Sequence, residues 1–207
     1  MPTPNLPTLL ANTDPSPRLP FVAARAFLDA TQAPDWTNRG LHDWFDRHLV
    51  SVGWMPLPIA VFEPGAGAIP LHGAGAEEPN RRLSTLLSAA RTEVVTTLRG
   101  LIATPIDDRF LATAIFAGRV QRRRVAGATE WTPHPEPSAP LSAVVLSLLV
   151  ADILGNRLFY EEQLSICDVC ARVGFEEGAA ARRDRCATHA SPTSGIFPNR
   201  GGEIKQG

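Results

Sequence analysis

Four residues near the C-terminal end of the chain have the types and the spacing of a metal site. Cys167, Cys170, Cys186 and His189 form the pattern Cys-x2-Cys-x15-Cys-x2-His and include all three cysteines of the protein. Two ligands separated by two residues lie on a tight turn that directs both side chains at one ion, and the long insert can return a second pair to it. Zn2+ prefers four sulfur and nitrogen ligands in a tetrahedron. The sequence therefore predicts a zinc ion held by these four side chains.

The predicted zinc site is structural, because three thiolates and one imidazole leave no position for a catalytic water. The alternative is a redox Cys-x-x-Cys at Cys167 and Cys170, but the strand-then-helix setting of such motifs is missing. The segment from about 164 to 190 resembles a zinc ribbon or treble-clef knuckle in general, without indicating a particular family. Such knuckles commonly place glycine after the second cysteine. Ala171 stands there instead, at a cost of about 1 kcal/mol if its backbone is left-handed.

Seven arginines supply the concentrated positive charge of the sequence, in two groups. If the groups converge in the fold, they form a patch that binds phosphates or an acidic partner. The alternative is two unrelated solvated surfaces, which the acidic residues around the second group favour. The tentative anion- or partner-binding residues are Arg119, Arg122, Arg123 and Arg124, and, inside the metal-site insert, Arg182, Arg183 and Arg185.

No set of residues in the sequence predicts a catalytic site. His42, Asp43, Asp46 and His48 look like a second metal or hydrolase cluster, but helical spacing places His48 on the apolar face beside Trp44. An amphipathic helix with one histidine at the edge of the core explains the pattern better. The glycine pairs in residues 64–79 lack the Gly-Lys-Ser/Thr of a phosphate loop. No Gly-x-Ser-x-Gly motif occurs.

Composition restricts the class of protein more than it restricts the function. The chain has 207 residues, 44% of them hydrophobic, and a formal net charge of −1, so a core of normal size can form and no strongly basic body exists. Three cysteines that all belong to one cluster favour a reducing compartment over a disulfide framework. Because the apolar run 141–154 is only fourteen residues long and no signal peptide is visible, we expect a cytoplasmic protein without membrane contact.

The pattern of elements predicts an α+β fold, a small mixed helix and hairpin body with a C-terminal knuckle module. Helices are expected at 21–31, at 38–52, after an Asn80 cap, and from Leu141 to about Asn156. A short apolar strand is expected between Trp54 and Phe62, followed by a loop over 64–79. The predicted divisions are 1–19 as a proline-rich flexible arm, 20–160 as the body, 161–190 as the zinc-binding module and 191–207 as a flexible tail.

Residues 105–117 are ambiguous between helix and strand. Thr104-Pro105 is typical of a helix start. The run from Phe110 to Val120 is also rich in strand-forming residues, and 125–131 would be its hairpin partner. We favour the hairpin, since it gathers the first arginine group at its turn.

Three classes of function remain. The first is a non-enzymatic adaptor or regulatory protein, in which a structural zinc site supports a protein-binding surface. The second is a nucleic-acid-binding protein that uses the arginine groups, and the third is an enzyme whose active site the sequence does not reveal. The first is favoured, because the predicted metal site is closed and no catalytic set assembles.

Overall fold

The computed structural model describes residues 18–32, 36–63, 67–72, 80–125, 127–176, 184–186 and 188–189. Within these ranges, helices are combined with three separate two-stranded antiparallel sheets, so the coarse α+β prediction is confirmed. The elements are α1 Leu19–Ala30, α2 Asn38–Phe45, a π-helical turn Asp46–Val50, β1 Ala60–Glu63, β2 Gly67–Pro70, α3 Arg81–Ile102, α4 Arg109–Phe116, β3 Val120–Val125, β4 Ala128–Pro133, α5 Leu141–Gly155, α6 Arg157–Gln163, β5 Leu164–Ile166 and β6 Val173–Phe175.

Helix α5 is the centre of the core. It is apolar on every side and packs against α1, α3 and β4, so nearly all of it is buried. A helix without a polar face is stable only when other elements surround it, which is what the contacts provide. Among the described residues no single helix is long and apolar enough to cross a membrane; α5 and α6, bent by 102° at their junction, meet that criterion of length and composition only as a pair.

Asp152 is the only charged residue buried in the described part of the chain, and it lies on α5. Arg18, just before α1, donates to both carboxylate oxygens, with Nε 2.9 Å from Oδ1. The hydroxyl of Tyr160 donates to Oδ2 at 2.8 Å, and Asn156 donates to Oδ1 at 3.2 Å. The Arg18 guanidinium also lies 4.0 Å from the centre of the Phe159 ring. A buried carboxylate needs such partners, so this network joins the start of α1 to the core.

The helix expected over 38–52 is present but changes its winding. Thr37 caps α2 by accepting from the amide of Gly40, and Trp44, Phe45 and Leu49 are buried as predicted. From Asp46 onward the backbone forms a π turn, which inserts an extra residue into the helical repeat. The helical segment ends at Val50, so Val52, expected on the buried face, lies in the turn that follows and is exposed.

Two segments between these helices differ from the predictions. Residues 64–79 were expected to form a loop, but β2 lies within them and pairs with β1 through Val61 and Ile69, both buried. The strand expected from Trp54 begins only at Ala60. The segment that follows matches its prediction, because the Asn80 side chain accepts from the amides of Arg82 and Leu83 and caps the long helix α3.

The strand prediction for Phe110 to Val120 is wrong. Residues 109–116 form α4, and the hairpin consists of β3 and β4, which pair from Val120 opposite Pro133 to Val125 opposite Ala128. The helix forms because Leu111 and Ala114, three residues apart, both face the core, whereas a strand would present only alternate residues. The arginines at 122–124 consequently lie along β3 and not at its turn.

Candidate metal centre

The four predicted ligands converge on one point. The ligand atoms of Cys167, Cys170, Cys186 and His189 all lie within 4.8 Å of one another. Nδ1 of His189 is 3.4 Å from Sγ of Cys167 and 3.2 Å from Sγ of Cys186, and the sulfurs of Cys170 and Cys186 are 3.7 Å apart. Sulfurs bound to one zinc ion at about 2.3 Å are about 3.8 Å apart in a regular tetrahedron. The distances therefore fit a single metal ion, and all three cysteines are free of disulfide bonds.

The short sheet β5–β6 and a tight turn place the first pair of ligands. Cys167 directly follows β5, and its amide donates to the carbonyl of Arg172 at 2.9 Å. The amide of Ala171 donates back to the carbonyl of Cys167 at 2.8 Å, which closes the turn. Ala171 has a φ of 53°, so the left-handed backbone anticipated at this position is present without the glycine that accommodates it best. Val169 lies in the turn and is exposed.

The backbone of the turn favours a thiolate at Cys167. Burial opposes ionisation, but the amides of Cys170, Cys186 and Val169 donate to the sulfur and lower the pKa of Cys167 to about 6. Burial and the neighbouring thiols raise the pKa of Cys170. Hydrogen bonds to the sulfurs of Cys167 and Cys186 raise the pKa of His189. Negative charge therefore collects on the sulfurs of Cys167 and Cys186, in the thiolate form that binds metal ions.

Two arginines on α3 connect the turn to the helical body, and the sequence analysis missed both. Nη2 of Arg91 donates to the carbonyl of Ala171 at 2.8 Å. Arg99, two turns later on the same helix, lies 3.5 Å from the carboxylate of Asp168. The amide of Asp168 also donates to the carbonyl of Asp184 at 2.9 Å, which links the two ligand pairs. The metal ligands are thus held against α3 by polar contacts as well as by the sheet.

A cleft of about 370 Å3 adjoins the ligands, between the end of α1, α3 and the turn, and Arg91 and Arg172 line it. Burial lowers the pKa of Arg91, and the charge of Cys170 opposes that effect. Nε of Arg91 is buried without a hydrogen-bond partner in the described part of the chain. Three thiolates around a divalent cation carry a net charge of −1, so a guanidinium beside them compensates it.

The arginine groups are only partly described. Arg122, Arg123 and Arg124 are exposed on β3, and Arg122 lies 5.7 Å from the centre of the Trp131 ring. Arg119 is exposed between α4 and β3. Arg185 is exposed beside the ligand Cys186, whereas Arg182 and Arg183 lie outside the described residues. The described residues therefore do not decide between convergence of the two groups and two separate surfaces.

The acidic and histidine residues of α2 do not assemble a second cluster of three or more metal ligands within the described ranges. His42 instead contacts His72. The two rings lie edge to face with centroids 4.6 Å apart, and Nδ1 of His42 is 3.1 Å from the carboxylate of Asp43. His48 is half-buried beside Trp44, as an amphipathic helix with a histidine at the core edge predicts.

No protein-family model, curated protein or solved structure gives a significant match to this chain. The inference of function consequently depends on the geometry of the metal centre and on the surface around it.

Proposed function

We propose that this protein binds one zinc ion through Cys167, Cys170, Cys186 and His189, and that it is a non-enzymatic adaptor or regulatory protein whose zinc-bound turn supports a protein-binding surface. The observation that carries the proposal is the closed set of four protein ligands, with ligand atoms within 4.8 Å of one another. Each remaining step follows from the chemistry of these ligands and their surroundings.

Zinc is the metal that best fits the ligands. Three thiolates and one imidazole are soft or intermediate donors, which select Zn2+ over Mg2+ or Ca2+, since those ions require oxygen. The 3.7 Å separation of the Cys170 and Cys186 sulfurs is close to that of a zinc tetrahedron. Copper(I) and iron also accept thiolates, so the identity of the metal is the first point to test.

A structural role follows from the number of ligands. Catalytic zinc sites keep one position open for water or substrate, whereas four protein ligands fill the coordination sphere. Within the described residues of the segment that carries the ligands, the regular structure is two three-residue strands. So little apolar structure gains most of its order from the metal, and the binding energy of the ion becomes folding energy.

The exposed arginines are the proposed partner-binding surface. Arg122, Arg123 and Arg124 are consecutive and exposed on β3, and Arg185 is exposed beside a metal ligand. Guanidinium groups form bidentate contacts with carboxylates and are enriched where binding energy is concentrated. A protein partner with an acidic surface fits this chemistry.

The metal proposal is tested by elemental analysis of the purified full chain. We expect about one zinc per chain, loss of the metal when all three cysteines become serine, and weakened binding in His189→Ala. His134→Ala is the matched control, because His134 is an exposed histidine outside the cluster. Absence of metal, or full retention by the triple serine variant, would contradict the proposal.

The partner proposal is tested by pull-down from a lysate with metal-loaded and chelated protein. A partner lost on chelation, and lost when Arg122, Arg123 and Arg124 become glutamate, is the expected result; Arg47→Glu, at an exposed arginine of the π turn, is the control. Binding of nucleic acid with a steep loss of affinity in salt would favour the nucleic-acid alternative. Turnover of a small molecule that disappears on chelation would favour an enzyme.

A further inference from the structure

A cavity of about 520 Å3 opens between α3, α4 and α5, and none of the four metal ligands lines it. Its walls come from the C-terminal half of α3, the first turns of α4 and the middle of α5. The volume lies within the range of small-molecule sites, about 300–1,000 Å3.

One wall of the cavity is apolar. Phe110 and Ala114 contribute from α4, and Leu146 and Val150 contribute from α5. Ala114 and Val150 are buried, while Phe110 and Leu146 are partly exposed. A ligand that covers the two partly exposed side chains removes apolar surface from water, which favours an aromatic or aliphatic body.

Two exposed guanidinium groups lie at the rim of the cavity, one paired with a carboxylate and one without such a pair in the described residues. Arg109 is paired, with Nε 2.8 Å and Nη2 2.6 Å from the carboxylate of Asp107. Arg119 makes no side-chain hydrogen bond or ion pair with any other described residue, although its backbone is fixed: its amide donates to Ala114 at 2.9 Å and its carbonyl accepts from His134 at 2.7 Å. The rim therefore presents one uncompensated cation on an anchored backbone.

Hydroxyl groups also line the cavity. Thr96, Thr97 and Thr113 line the cavity. Those of Thr97 and Thr113 donate to carbonyls of their own helices and keep acceptor capacity, while Thr96 is exposed without a side-chain partner in the described ranges. Hydroxyls can both donate and accept, so they suit a carboxylate or its neighbouring polar groups.

We propose that this cavity is a binding site for a small organic anion with one carboxylate and an apolar body, the carboxylate at Arg119 and the body against Phe110 and Leu146. The charges of Arg109 and Asp107 cancel, so the net charge of the rim is that of Arg119 and matches a monoanion. A ligand with several phosphates would meet the repulsion of Asp107. This site is independent of the metal centre and of the proposed partner surface.

The test uses the full chain and three carboxylate probes, namely benzoate, 1-naphthoate and octanoate, with the alcohol of matching skeleton as the neutral control for each. Calorimetric titration gives the affinity, and amide NMR shifts give the location. We expect at least one carboxylate to bind about tenfold more tightly than its alcohol, because a carboxylate–guanidinium hydrogen bond is lost with the charge. The NMR shifts should concentrate on Thr96, Phe110 and Leu146.

Three variants complete the test: one should weaken carboxylate binding, one should leave it unchanged and one should strengthen it. Arg119→Gln should weaken carboxylate binding about tenfold, and Arg47→Gln, at an exposed arginine of the π turn that does not line the cavity, should leave it unchanged. Asp107→Asn releases Arg109 and should strengthen binding. Failure of all three carboxylates to bind at millimolar concentration would overturn the proposal. Equal binding of acids and alcohols, or equal effects of the two arginine variants, would also overturn it.

Discussion

Replacing Ala171 by glycine is expected to stabilise the protein, although the same replacement usually destabilises one. Replacing alanine by glycine normally destabilises a protein, since glycine loses more backbone freedom on folding. Ala171 has a φ of 53°, in the left-handed region, and closes the turn between the first two metal ligands. Ala171→Gly therefore removes a steric cost at the point where the metal site is formed.

Three contributions set the size of the effect. A left-handed backbone costs an L-residue about 1–2 kcal/mol, which glycine does not incur. Glycine costs about 0.4–1 kcal/mol through the unfolded chain. The lost methyl, partly buried against the core, contributes less than about 0.8 kcal/mol. The mid-range values leave a net stabilisation of about 0.4 kcal/mol.

Ala89 is the matched control, because it is exposed in the interior of helix α3. Ala89→Gly should destabilise by about 1 kcal/mol, so the two variants should differ by about 1.4 kcal/mol, a tenfold change in the equilibrium constant. Urea denaturation in excess zinc gives the free energy of unfolding. Competition with a chromophoric chelator gives the zinc affinity, which Ala171→Gly should maintain or increase.

An equal loss of stability in the two variants would refute the reasoning. It would mean that the methyl of Ala171 contributes more by its contacts than its left-handed backbone costs, or that the metal-bound turn has another conformation. A fall in zinc affinity confined to Ala171→Gly would lead to the same conclusion.

Three further predictions concern the body of the protein. Trp44→Ala should cost about 3–5 kcal/mol in urea denaturation, since Trp44 is 5% exposed, whereas Asp46→Ala, at an exposed position, should stay within about 0.5 kcal/mol. Burial, with the charge of Asp152, raises the pKa of Tyr160 well above its usual value, so its contribution to stability is intact below about pH 10 and is lost as the pH rises further. Because Tyr160 is the single tyrosine, tyrosinate absorbance should appear only together with alkaline unfolding. The hydrogen bond from Arg109 lowers the pKa of Asp107 to about 2, so the ion pair contributes to stability above about pH 4, and this contribution is lost as the pH falls toward 2. In Arg109→Gln, an NMR titration should show the pKa of the Asp107 carboxyl returning toward its usual value.

The clustering of the four candidate metal ligands could be predicted because its signal is local and chemical. Side-chain type and spacing alone restrict what Cys167, Cys170, Cys186 and His189 can do together. The arginines that hold the turn could not be found in this way. Arg91 and Arg99 belong to an ordinary polar helix face, and only the packing of the chain shows that they contact the turn.

The errors in the fold prediction also arise because tertiary packing is not visible in the sequence. The β-branched and aromatic residues in 110–116 are compatible with a strand, and the spacing of the apolar residues is compatible with a helix. The helix forms because it buries both Leu111 and Ala114 in the core. The helical periodicity of the apolar residues continues past Val50, where the helix ends, so Val52 was assigned to a buried face although it lies in the following turn. By contrast, Asn80 was predicted correctly, because a cap depends on one side chain and two neighbouring amides.

The ion pair between Arg18 and Asp152 joins residues 134 positions apart, and this separation affects how the protein is made. At about 5–20 residues per second, a ribosome needs on the order of ten seconds to synthesise the intervening chain. During that interval α1 has been translated while α5, against which it packs, has not. Phe27 can meet Trp36 and Trp44 soon after synthesis, but the apolar face of α1 then lacks the α5 surface against which it packs. The nascent chain is therefore most exposed to aggregation and to chaperone binding before α5 emerges, and a ribosome stalled ahead of that point would hold a chain whose first helix is not yet packed against α5.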